Sequence, residues 1–335
     1  MGTAMRIAKW DNLKLFLIFT VVVGHISDLF YGSCSDMKGL FVFIYTFHMP
    51  AFIFISGLFS KKTVDNKNYG KILPYITLYF ISQFLLFIFS AIFAKEKTLY
   101  LFDSDGIPWF VLSLFWMNLI TMYTKKFKPQ WVLALSLILS VFAGYNHRVM
   151  DEFAILRTIN FYPFFYLGYI ADREKLTAFL NKKYIKIISA VFVAALAVLC
   201  FAIPQKISYF RLFVTGRVVY SYIGNAAVWG GFIRLGVFAV SLIFVIALIS
   251  LVPSKESRIS YLGSRTLGVY VTHCCFIYAV FAIPGLSAAV TNLPAVARVP
   301  IILLTGALIV LICSNKYFDA ALKKIMDHGA KLKEK

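Results

Sequence analysis

Long apolar runs separated by short polar and basic stretches set the pattern of this chain. From Leu13 to Gly24 the only polar side chains are Lys14 and Thr20, and a helix needs about 20 such residues, at 1.5 Å each, to cross the hydrocarbon of a bilayer. Runs long enough, or nearly so, lie at about 13 to 30, 39 to 59, 72 to 94, 108 to 124, 130 to 146, 154 to 171, 184 to 203, 232 to 252, 262 to 284 and 299 to 316. The predicted fold class is therefore all-α, a polytopic membrane protein with about ten transmembrane helices. The fourth to sixth runs are shorter, or broken by Pro, Gly and polar groups. Because the connections are short, residues 1 to 335 read as a single integral membrane domain with a short cytoplasmic tail, 317 to 335, of which Asp319 to Lys335 can form a surface helix.

Composition agrees: 60% of the 335 residues are hydrophobic and 15% are charged, too greasy for an ordinary soluble domain. The formal charge of +19 does not indicate nucleic acid, because the basic residues fall in clusters between apolar runs rather than along one polar face. Sorted between alternate loops with the N-terminus in the cytoplasm, roughly two dozen of the 34 Lys and Arg lie inside, as the positive-inside rule requires. This predicts a multi-pass membrane protein with both termini cytoplasmic. The five cysteines are odd in number and lie mostly inside apolar runs, so they read as packing residues rather than a disulfide framework.

The chemistry concentrates between Asp11 and Gly57. Lys14 and His25 are eleven residues apart, so on a helix they share a face with about 16 Å between them. Asp28 follows His25 by three positions and can reach the imidazole, or cap the outer end of the helix. A neutral imidazole accepts a proton from a hydroxyl; by its chemistry alone His25 fits a general base and equally a histidine bonded between packed helices. His48 precedes Met49-Pro50, where proline removes a backbone donor and is expected to kink its helix, and Ser56-Gly57 allow close helix contact. His273 is a third intramembrane histidine. No pair has the i, i+4 spacing of a helical metal motif and no carboxylate accompanies them, so no metal is expected. The outer connection from Pro204 to about Gly231 carries Arg211, Arg217, Tyr209, Tyr220, Tyr222 and Trp229. That composition suits a sugar-binding surface and an interfacial anchor alike.

Taken in order, these residues resemble the acyltransferase 3 superfamily of integral membrane O-acyltransferases, nearest to its fucose 4-O-acetylase and capsular polysaccharide O-acetyltransferase branch. Asp11, Lys14 and His25 match the family's first-helix pattern, and Phe47-His48-Met49-Pro50 through Ser56-Gly57 matches the second. Trp109-Phe110 with Leu112 and Trp116, Tyr162-Pro163-Phe164-Phe165 to Gly168, and Ser260-Leu262-Gly263 to Tyr270 and His273 follow. Two departures stand out: the family often has Arg where this chain has Lys14, and its Arg pair at the third helix is here only Lys67 and Lys71.

The resemblance implies transfer of an acyl group, usually acetyl, from cytoplasmic acyl-CoA to a hydroxyl of a cell-surface or exported glycan. In that reading His25, with Asp28, His48 and His273, is catalytic. Asp11, Lys14, Lys67 and Lys71 bind the acyl-CoA donor, expected to be acetyl-CoA, and Trp109, Trp116, Arg211 and Arg217 meet the glycan acceptor, in a bacterial inner or cytoplasmic plasma membrane. The partners are then acyl-CoA, the glycan and the lipid bilayer, with no nucleic acid. The alternative is a polytopic transporter or flippase for a glycan or lipid-linked sugar, whose polar groups would line a path through broken helices.

Overall fold

The computed structural model describes residues 2–94, 98–99, 101, 106–146, 152–217 and 219–331, with side chains placed from Ala8 to Lys324. The last four residues of the expected tail, 332 to 335, lie outside the described residues. All regular structure described is helical. Each of the ten apolar runs is matched by a helix: α1 (Gly2–Leu29), α2 (Ser35–Asp65), α3 (Pro74–Phe89), α4 (Trp109–Thr124), α5 (Pro129–Ala143), α6 (Ile155–Ile170), α7 (Lys183–Ala202), α8 (Gly230–Leu251), α9 (Thr266–Phe281) and α10 (Ala295–Cys313). An eleventh, α11 (Lys316–Lys331), follows.

Six of the described helical stretches are long and apolar enough to cross a membrane. A seventh forms if α9 and Leu286–Asn292, bent 86° from each other, count as one span. The number ten is thus reached for helices and not for spans of full length. α4 and α5 stay short, as does α6, where the sequence already showed weak runs.

α2 is the hub, packed against α1, α6, α7 and α8. It runs as one helix through Pro50, so the expected break there does not occur. Neighbours on several sides hold the axis while proline still deprives the Thr46 carbonyl of its helical donor. The crossing of α2 and α6 is built on two glycines: a Cβ on Gly57 would lie 2.0 Å from the Phe165 carbonyl oxygen, and one on Gly168 would lie 2.0 Å from that of Phe54. Only hydrogen at these positions lets the two backbones touch.

The Ser260–Ser264 turn is locked onto α1. Gly263 abuts the Asp11 carbonyl, Ser260 Oγ donates to Asn12 Oδ1 at 2.5 Å, and Asn12 Nδ2 donates to the Pro253 and Lys255 carbonyls. This fixes α9 beside α1. At the opposite end, buried Arg298 on α10 pairs with Asp36 on α2. A contiguous apolar core, from Trp10 through Val23, Phe47, Phe165 and Phe244 to Cys313, draws on helices from both ends of the chain. α11 packs against α3 and α9 through the buried Leu322, so the surface helix is a docked one.

Candidate active site

His25 projects from α1 between α9 and α2. Its ring centroid lies 5.3 Å from that of His273 and 6.5 Å from that of Tyr45, which in turn stands 4.5 Å from His48 in an edge-on contact. Three helices thus bring the three intramembrane histidines and one tyrosine into a row.

Two of the histidines are pinned in the same way. His48 Nδ1 is 2.9 Å from the Ile44 carbonyl oxygen, and His273 Nδ1 is 2.8 Å and 2.9 Å from those of Val269 and Tyr270. A carbonyl only accepts, so each Nδ1 carries the proton and each neutral ring presents a bare lone pair at Nε2. For His273 that Nε2 is fully buried and has no hydrogen-bond partner. His25 is half-buried.

Three cavities are strung along α1. The first, about 520 Å³, is lined by Lys14, Lys71, Ser56, Thr63, Tyr75 and Asn118 among others. The second, about 140 Å³, is lined by Tyr75, Met49, Phe52, Trp109, Tyr270 and His25, with no Lys, Arg, Asp or Glu among its described lining residues. The third, about 250 Å³, includes His25, His48, Trp109, Arg157, Arg211 and Arg217. Tyr75 borders the first two, and His25, Met49 and Trp109 border the last two. His25 therefore stands where the apolar middle chamber meets the arginine-lined one.

Most of the residues expected at the site are gathered there, with some redistribution. Lys14 lines the first cavity while paired with Asp11 at 2.6 Å. Lys71 lines the same cavity, whereas Lys67 adopts a left-handed backbone conformation, φ 47°, and sets its ammonium over Tyr123. Asp28, expected beside His25, accepts a 2.7 Å ion pair from Arg211, a residue brought in by the short helix Arg211–Thr215. Spacing on one helix cannot reveal that partner. Trp109 lies at the junction, but Trp116, two turns along α4, packs on Phe115 outside the lining of these three cavities. The connection from Pro204 to Gly231 splits: Arg211 and Arg217 face the third cavity, while Tyr222 and Trp229 are exposed, as membrane-interface anchors are.

Sequence reasoning passed over Arg157. It is buried in α6 and lines the third cavity, with its guanidinium 4.6 Å from the centre of the Trp109 ring. A charge inside an apolar run was the available signal. Tyr45 and Cys274 also border this chamber, and nothing in their sequence context marked them out.

The residues set around these chambers are those of the motifs that run in order along the chain, and the family comparison covers the same span. The model of an acyltransferase domain, that of the acyltransferase 3 family, matches residues 7–318. Neither the curated proteins nor the solved structures contain a match to the chain. With that match over nearly the whole chain and with helices of membrane-spanning length, the protein belongs to the acyltransferase 3 family and is a multi-pass membrane acyltransferase.

Proposed function

We propose that the protein moves an acetyl group from acetyl-CoA to a hydroxyl of a cell-surface or exported glycan, with His25 as the general base. One observation carries this reading: His25 alone of the three histidines borders both the apolar middle chamber and the arginine-lined outer one. A proton acceptor placed at that junction can serve a donor entering from one side and an acceptor from the other.

Several features support the assignment of the two sides. The positive-inside rule puts Lys14 and Lys71 at the cytoplasmic face, where ammonium groups suit the phosphates of CoA. The middle chamber takes the thioester arm. Its lack of cations among the described lining residues favours an uncharged acyl group over succinyl. Trp109, Arg211 and Arg217 offer an aromatic face and guanidinium forks to a sugar.

In the reaction, the acceptor O–H gives its proton to His25 as its oxygen attacks the thioester carbonyl carbon. The tetrahedral intermediate then collapses with cleavage of the C–S bond, and the proton passes from His25 to the departing CoA thiolate. Arg157 supplies positive charge for the oxyanion. The Nδ1–H groups of His48 and His273 are donated to backbone carbonyls, which leaves each Nε2 as an acceptor. His48, which lines the third cavity, orients acceptor hydroxyls, while His273, which lines none of the three cavities, positions the His25 ring 5.3 Å away. The transport alternative is tested by deleting the gene and measuring surface polysaccharide by mass spectrometry. Export that continues with loss of the acetyl mass increment supports acylation; loss of export itself supports transport.

A further inference from the structure

A second property of the histidine row concerns metal. His25, His273 and Cys274 each offer one ligand atom, and these atoms lie within 4.8 Å of one another. Sequence spacing hid the cluster because its members come from α1 and α9. We propose that the three form a binding site for a soft divalent cation of the zinc class, and that occupancy switches the enzyme off.

Two further observations point to a ligand here. His273 is 0% exposed, and its Nε2 has no hydrogen-bond partner, an unusual state for a buried polar atom. Its Nδ1–H is held by two backbone carbonyls, which is how metal-bound histidines are commonly fixed with the other nitrogen ready to ligate. The donor set of two imidazoles and one thiol selects zinc, cobalt or similar ions over magnesium and calcium, which need oxygen ligands. Ligand bonds of about 2.0 to 2.3 Å require the three atoms to draw together by about an ångström. The half-buried His25 ring, bordering two cavities, has room to make that turn.

Binding is balanced by release of one proton: the Cys274 thiol becomes thiolate as the cation takes its sulfur and the two imidazole lone pairs. His25 and Cys274 both border the outer chamber, so the ion enters from that side, and its fourth position is left for water. Coordination occupies the lone pair that His25 needs as a base. The inhibitory consequence rests on the functional reading above; the site itself does not.

Titration of the purified full-length protein in detergent with Co²⁺ tests the site. The expected result is a thiolate-to-cobalt charge-transfer band that saturates stoichiometrically, is displaced by Zn²⁺, vanishes in Cys274→Ser and persists in Cys275→Ser. His273→Gln, checked for a monodisperse elution profile, weakens binding at least about tenfold. Absence of the band in the parent protein, or its survival in Cys274→Ser, overturns the site. Zn²⁺ should also inhibit acyl transfer reversibly with a chelator, each variant being compared with its own metal-free rate. A bound ion that leaves transfer unchanged overturns the inhibitory role and counts against His25 as the base, while the cobalt band would keep the site.

Discussion

The imidazole of His25 on α1 stands 5.3 Å, centroid to centroid, from that of His273 on α9. The two belong to opposite ends of the chain, and the Ser260–Ser264 turn that knots itself to Asn12 is what brings their helices side by side. In the proposed reaction the pinned ring of His273 positions His25, and His48 lines the chamber of the acceptor. His273→Gln and His48→Gln are expected to lower kcat/KM for the glycan by about 10- to 100-fold, with the KM for acetyl-CoA unchanged. Steady-state kinetics with each substrate varied in turn separates these effects.

Arg157 is assigned to the oxyanion. Arg157→Gln, which keeps bulk and some hydrogen bonding, should reduce kcat by about 10²- to 10³-fold with little change in either KM. Single-turnover transfer measures this directly. A change confined to KM would mean that the guanidinium binds the acceptor instead.

Lys14 faces the cavity of about 520 Å³ while paired with Asp11. Lys14→Ala is expected to raise the KM for acetyl-CoA about tenfold, a loss of about 1.4 kcal/mol, and to leave glycan KM alone. Lys14→Arg, the residue frequent in the family, should keep or improve donor affinity through its fork. Donor affinity unaffected by Lys14→Ala would reverse the direction assigned to α1.

The contact of α2 with α6 allows no side chain at Gly57 or Gly168. Gly57→Ala should destabilise the protein by at least about 1 to 3 kcal/mol, read as a lower melting temperature in detergent, because the obstruction is backbone and cannot swing away. Gly32→Ala, where a Cβ meets nothing within 4 Å, should have no such effect.

The helices were legible because hydrocarbon admits few alternatives. A spanning segment must be apolar and must satisfy its own backbone, so the run at 232 to 252 became Gly230–Leu251 and that at 184 to 203 became Lys183–Ala202. The run at 262 to 284 was read less well. It begins as a tight turn, becomes helical only at Thr266, and bends sharply before Leu286, since apolar composition does not record where a helix changes direction. His25, His48, Lys14 and Trp109 could be marked from ordered motifs. The pairing of Asp28 with Arg211 and the meeting of His25 with Cys274 could not, because each joins residues far apart in the chain.

The central claim is that His25 takes the proton from the acceptor hydroxyl. The direct measurement is transfer of labelled acetyl from acetyl-CoA to glycan in inverted membrane vesicles carrying either the parent protein or His25→Ala at matched amounts. The account predicts that transfer falls to background in His25→Ala while the variant still binds acetyl-CoA; full transfer by His25→Ala would contradict it.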